Sequence, residues 1–197
     1  EHEATHTLLM LAQDALPNQH PDGLAIRAGH YVFSQILNAE LREAHSVTYG
    51  VLSEIPHAQG STPWIINLNT PSRYSQSALA HIKALFTRFL KDGPSEAELD
   101  DIKQYLLRAL PQLTASNLEM RSELSIINRF SQPLTFGYKN QQIQAMTREQ
   151  IKTAMNRHFT TDGWVSVTVG PSVDQQPLPD VMVPEATVAQ SCLPAIR

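Results

Sequence analysis

The sequence has a single cysteine and no long apolar run. Cys192 is the only cysteine in 197 residues, so the chain can form neither an internal disulfide nor a cysteine-rich zinc site. No stretch reaches the roughly 18 apolar residues that a membrane-spanning helix needs. The chain also lacks an initiating Met and a charged-then-apolar leader, from which we expect a processed piece of a longer protein.

Clustered positive charge is missing as well. The 15 Lys and Arg residues are scattered singly and are outnumbered by 19 Asp and Glu, for a formal net charge of −4. A nucleic-acid binder normally presents a basic face, so this function class is excluded. Hydrophobic residues make up 42% of the chain, which is enough for the core of one globular domain.

The order of hydrophobic patterns predicts an α+β fold. A strand at 7–16 is followed by a helix at 22–44, a hairpin of strands within 47–70, several helices between 79 and 159, and a closing strand at 164–169. This order lacks a regular βαβ repeat, so we predict a single antiparallel sheet with helices packed on one face. Residues 1–171 form the predicted domain, and the proline-containing segment 172–197 is predicted to be a tail or linker.

A literal HExxH motif stands at the start of the chain, at residues 2–6. In zinc peptidases this motif lies on a helix, which places both histidines on one face. Here it leads into a strand-like run, and in an extended chain His2 and His6 would be about 13 Å apart. We therefore interpret the match as a coincidence and not as a zinc site.

No other constellation forms a self-contained active site. The remaining histidines show no pair at ligand spacing, and we interpret them as surface or boundary residues: His20, His30, His45, His57, His81 and His158. No serine or cysteine stands in a nucleophile elbow, and no glycine-rich phosphate loop is present. The sequence predicts no catalytic residue in isolation and no metal site in this chain.

One stretch, Leu41 to Tyr49, carries a specific pattern across the predicted helix end and hairpin start. It resembles an element of the C-terminal-type domains of the pitrilysin/insulinase family of inverzincin metallopeptidases, in which an Arg precedes a Tyr by seven residues, as Arg42 precedes Tyr49. Further landmarks follow in the family's order over roughly residues 5–171: Pro21-Asp22, Gly93 to Leu99, Ala145 to Ile151 and Val165 to Pro171.

The resemblance implies a half of a peptidase. Family members pair two similar α+β halves, or two subunits, around a chamber, and the other half carries the zinc on an HxxEH motif. No HxxEH occurs in this sequence, so zinc and general base would come from a partner half, and this fragment alone is predicted inactive. The compartment stays open, and the resemblance favours a periplasmic or secreted setting.

The resemblance also implies roles for two residues. The Tyr49 hydroxyl would stabilise the oxyanion that develops during peptide hydrolysis, and the Arg42 guanidinium would anchor the peptide substrate. Without the resemblance, both residues have ordinary structural explanations: the helix dipole favours an Arg near a helix C-terminus, and a Tyr packs well on a strand. His45, Ser46 and Thr48 also replace the basic and Gly-Leu-Ala type residues that are commoner in this loop.

Two other functions compete with a substrate-binding half. One is a structural or scaffolding pseudo-peptidase domain with no role in proteolysis, as in the core subunits that this family supplies to respiratory complexes. The other is an unrelated α+β ligand-binding module.

Overall fold

The sheet organises the fold. The computed structural model describes residues 5–16, 20–56, 60–129, 131, 133 and 136–181. Within them, four strands form one antiparallel sheet in the order β2-β3-β1-β4. The strands are β1 (His6–Ala15), β2 (Val51–Glu54), β3 (Thr62–Pro71) and β4 (Val165–Val169). The predicted fold class is confirmed.

Helices cover one face of this sheet. The two longest are α1 (Gly23–Leu37) and α2 (Ser75–Asp92), and the others are α3 (Glu96–Ala109), α4 (Asn117–Arg129), α5 (Phe136–Ala145) and α6 (Arg148–His158). A π-helical turn, Asn38–Ala44, continues α1, and a 3₁₀ turn at Leu110–Thr114 follows α3 where Pro111 stands. Among the described residues no helix has the length and apolarity that crossing a bilayer requires.

The core lies between the sheet and α1, α2 and α6. Alternate residues of β1 and β3 point inward, and Trp64 of β3 is fully buried at the centre of an aromatic cluster. Its ring centroid lies 5.1–5.8 Å from five other rings, those of His30, Phe33, Phe86, Phe159 and Trp164. Edge-to-face contacts of this kind add to the free energy gained from area burial.

The sequences Ser95 to Glu98 and Thr147 to Gln150 have the pattern of a capping box, which predicts a helix start, and both boxes form. Ser95 accepts a hydrogen bond from the Glu98 amide and Thr147 accepts one from the Gln150 amide, with the reciprocal bonds also present. Gly93 ends α2 with φ of 70°, a conformation that glycine adopts at little cost. Helix α5 was not predicted, because its residues show almost no apolar periodicity.

The first strand of the predicted hairpin is shorter than its sequence pattern indicates. Val47, Tyr49, Val51 and Ile55 fall on one face of an alternating pattern, which predicts a half-buried strand over residues 47–55. Only Val51–Glu54 pairs with β3. Val47, Val51 and Ile55 are buried as predicted, but Tyr49, which the same alternation would bury, is 94% exposed. Residues 46–50 leave the pleat before the strand begins, and this departure shapes the candidate site.

Part of the predicted tail is in contact with the domain. Residues 171–181 form neither helix nor strand, yet the Gln175 side chain accepts hydrogen bonds from the Ser75 hydroxyl and the Gln76 amide at the start of α2. The Gln176 amide donates to the Arg73 carbonyl, and the Gln176 carbonyl accepts from the Ser77 hydroxyl. We call this segment the strap; residues 182–197, with Cys192, lie outside the described residues.

Candidate functional site

The π-helical turn contains Arg42 and leads directly into the loop that contains Tyr49. At its end the His45 amide bonds to the Glu40 carbonyl and the Val47 amide to the Leu41 carbonyl, both at 2.9 Å. These wide turns replace the ordinary four-residue spacing of an α-helix, and π-helical insertions are frequent at functional sites. We call residues 42–49 the presenting loop.

Both ends of the presenting loop are held in the core. Leu41 and Val47 are at most 1% exposed. Asn38 joins the helix end to β2, because its side-chain oxygen accepts from the Val51 amide at 3.0 Å while its side-chain nitrogen donates to the Val51 carbonyl at 3.4 Å. The amide group of Asn38 therefore acts as a strand partner for the outer edge of β2 and fixes where the loop ends.

The tip of the loop has an unusual backbone. Ser46 has φ of 53°, a left-handed conformation that costs a non-glycine residue roughly 1–2 kcal/mol. Two residues further on, the Thr48 hydroxyl bonds to both the amide and the carbonyl of Gly50, at 3.2 and 2.9 Å. This side-chain turn rotates the backbone at Tyr49 away from the sheet and into solvent.

The structure places both predicted site residues on the surface of this loop. Arg42 lies in the last turn of the π-helical segment and is exposed, and the Tyr49 ring is nearly free of packing. Within the described part of the chain, neither side chain forms a hydrogen bond or an ion pair with another side chain. Their exposure excludes the explanation that Tyr49 is a packing residue of this domain.

A polar cluster that spacing could not reveal flanks the presenting loop. Glu40 lies within the π-helical turn, His45 follows that turn in the presenting loop, and His81 lies on α2. Their ligand atoms lie within 4.8 Å of one another. The His81 Nε2 is 3.3 Å from a Glu40 oxygen, and the His45 and His81 rings meet edge to face at 5.2 Å. The histidines had appeared isolated because His45 and His81 lie on different elements.

A second cluster joins His20, Asp22 and His158 at the other end of α1. One Asp22 oxygen accepts from His158 Nε2 and from Arg157, each at 2.8 Å. The hydrogen bond from His158 holds the pKa of Asp22 below its usual value. Of the HExxH match, only Thr5 and His6 lie in the described residues, and His6 begins β1, in agreement with an extended segment.

Comparison with known proteins identifies this arrangement of elements. A family model described as the peptidase M16 inactive domain matches residues 1–106. A crystal structure of a peptidase M16 inactive domain from Pseudomonas fluorescens is 35% identical, with a TM-score of 0.82 over 89% of this chain and 43% of that one. This chain thus spans less than half of that relative. No curated protein sequence matches.

More distant structures share the fold. An inactive peptidase domain from Bordetella parapertussis is 14% identical, with a TM-score of 0.72 over 91% of this chain and 97% of that one. The periplasmic protease PqqL from Escherichia coli is 17% identical, with a TM-score of 0.73 over 87% of this chain and 20% of that one. The fold therefore also occurs as one part of a much longer protease.

Proposed function

Because this chain belongs to the peptidase M16 inactive-domain family, we propose that it closes the chamber of a zinc metallopeptidase and contributes Arg42 and Tyr49 to substrate binding and transition-state support. Its sequence holds no HxxEH, so the residues present do not fit the catalytic zinc, and a partner half carries it. The partner half lies in the same chain or another, and the substrate is a peptide.

The exposure of Tyr49 carries the proposal. Its side chain is 94% exposed, although the loop around it is pinned by Asn38 and by the buried Leu41 and Val47. The Tyr49 ring therefore packs against little of its own domain, although its backbone is held in place. Such a side chain is suited to a contact outside the domain.

The chemistry of the two side chains suits a peptide. The phenol O–H of Tyr49 donates a hydrogen bond, which stabilises negative charge as it develops on a carbonyl oxygen. The planar guanidinium of Arg42 binds carboxylate or backbone oxygens with two parallel donors. Neither group can activate water in the absence of a metal or a general base, so the isolated chain is expected to be inactive.

The outward side of the sheet supports a partner half. Val165, Val167 and Val169 of β4 stand opposite Ala12, Met10 and Leu8 of β1 and so share one face with them. The three valines, Met10 and Leu52 are between 37% and 69% exposed. An apolar sheet face without helices is typical of a surface that is buried by another domain.

Peptide cleavage tests the proposal. The chain, or a longer protein that contains it, is combined with an HxxEH-bearing half, and hydrolysis of a fluorogenic peptide is followed. We expect Tyr49→Phe, which removes only the hydroxyl, to lower kcat on the order of 10²- to 10³-fold. Arg42→Ala should also raise KM, because substrate anchoring acts in the ground state and the transition state alike.

Matched variants separate these roles from general damage. Tyr105 is another exposed tyrosine, on α3 and far along the chain from the loop, so Tyr105→Phe should keep wild-type rates. Melting temperatures of the loop variants should stay within a few degrees of wild type, since both side chains are exposed. Full activity of Tyr49→Phe would reject the proposal and favour a scaffolding domain.

A further inference from the structure

The cluster beside the presenting loop has the chemical make-up of a metal site. Two imidazoles and one carboxylate, from His45, His81 and Glu40, bring their ligand atoms within 4.8 Å of one another. The His81 and Glu40 side chains are 28% and 31% exposed, and His45 is also half-buried. An ion could therefore enter from solvent while being partly shielded from it.

The hydrogen bond of His45 orients its ring as a ligand. His45 Nδ1 lies 2.7 Å from the Pro179 carbonyl oxygen in the strap. A carbonyl can only accept, so Nδ1 carries the proton and Nε2 keeps its lone pair. Histidines that bind metals commonly donate their second ring nitrogen to a backbone carbonyl in this way, which fixes both tautomer and ring orientation.

The separations require little rearrangement. Zinc holds nitrogen and oxygen ligands at about 2.0–2.2 Å, so ligand atoms of a tetrahedral site lie about 3.4 Å apart. The pair formed by His81 Nε2 and Glu40 Oε2 already has 3.3 Å. The His45 ligand atom lies within 4.8 Å of the other two, at most about 1.4 Å farther than tetrahedral zinc requires. Changes in the side-chain torsions of Glu40 and His81 can close this difference while His45 keeps its bond to Pro179.

Competition from neighbouring cations is weak at this cluster. Arg88 approaches the other Glu40 oxygen at 3.5 Å and its side chain is 61% exposed, so this surface pair contributes little. At the second cluster, in contrast, Arg157 and His158 both occupy the same Asp22 oxygen. That oxygen is already saturated by donors, so the second cluster serves as a control.

We propose that Glu40, His45 and His81 form a binding site for a divalent transition metal, for which zinc is the test ion, and that the metal fastens the presenting loop to α2 and the strap. Two imidazole nitrogens favour zinc and its neighbours over Mg²⁺ and Ca²⁺, which prefer oxygen ligands. The site has no general base assigned to it, and its role is structural. Binding of the ion does not depend on the proposed function of Arg42 and Tyr49.

Zinc binding by the metal-free 197-residue chain tests the site. We expect about one zinc per chain by titration calorimetry and after desalting, and no competition from excess Mg²⁺ or Ca²⁺. His81→Gln, His45→Gln and Glu40→Gln should each weaken zinc binding tenfold or more, since each removes one of three ligands. Zinc should also raise the unfolding temperature of wild type but not of these variants.

Two controls locate the bound ion. His158→Gln alters the second cluster, and the double variant His2→Ala/His6→Ala removes the terminal HExxH match; both should bind zinc as wild type does. Circular dichroism without metal verifies that every variant is folded. The proposal is overturned if wild type binds no zinc, if folded His81→Gln keeps wild-type affinity, or if only a control variant loses the ion.

Discussion

Protonation of His30 should make this domain sensitive to mild acid. The imidazole lies on α1 beneath Trp64, is 5% exposed, and its Nε2 has no hydrogen-bond partner. Burial lowers its pKa from the usual 6.5 to about 4, against a smaller opposing effect of a hydrogen bond with the Ser53 backbone. The ring is therefore neutral in the folded protein at neutral pH.

The direction of the effect follows from linkage. Because the unfolded chain takes up the proton first, the stability held by neutral His30 is complete above about pH 6.5 and is lost as pH falls toward 4. Each unit of pKa difference corresponds to about 1.4 kcal/mol, so the full loss is on the order of 3 kcal/mol. Between about pH 7.5 and 5 the expected loss is about 2 kcal/mol.

Urea unfolding at these two pH values measures the effect. The quantity of interest is the difference in unfolding free energy between the pH values, compared in wild type and in His30→Gln, since that comparison removes the contributions of other titrating groups. His6→Gln, which changes an exposed histidine, should retain the wild-type pH dependence. If His30→Gln loses as much stability as wild type on acidification, His30 is not protonated on unfolding and the reasoning is wrong.

Two further substitutions test how the fold holds the site and the sheet. Asn38→Ala removes the side chain that pairs with β2, so it should lower the unfolding free energy by about 1–2 kcal/mol and speed the hydrogen exchange of the first β2 amide. The control Gln35→Ala, at an exposed position one turn earlier, should change the unfolding free energy by less than about 0.5 kcal/mol. Equal effects of the two variants would argue against the Asn38 contact. A Cβ on Gly170 would lie 2.1 Å from the Thr7 hydroxyl and 2.9 Å from its Cα, so Gly170→Ala should cost about 1–3 kcal/mol in denaturant unfolding, whereas Gly60→Ala, with nothing within 4 Å, should be near neutral.

Local signals in the sequence were sufficient for most of the fold. The capping boxes at Ser95 and Thr147 act within four residues, and alternation in β1 and β3 reports directly on which side is buried, so both were predictable. Helix α5 was not, because its burial depends on neighbours distant in sequence and its own residues carry little periodicity.

The candidate site also has one part that the sequence predicted and another that depends on tertiary structure. Arg42 and Tyr49 were found through a motif, which depends on spacing along the chain. The exposure of Tyr49 could not be predicted, because it results from the left-handed Ser46 and the Thr48 side-chain turn, which interrupt an otherwise regular alternation. The meeting of His45 with His81 depends on how α2 packs, and no local pattern encodes it.

Folding alone does not account for the presenting loop. Ser46 adopts a backbone conformation that glycine would hold at lower cost, and Tyr49 exposes an aromatic ring that the alternating pattern would bury. Local features that oppose foldability without a compensating contact concentrate at functional sites. Here two of them occur within four residues, in a segment that Asn38 and the buried Leu41 and Val47 hold in place. A domain kept only as a scaffold would gain stability by losing both features, so their presence together favours a loop that meets a substrate.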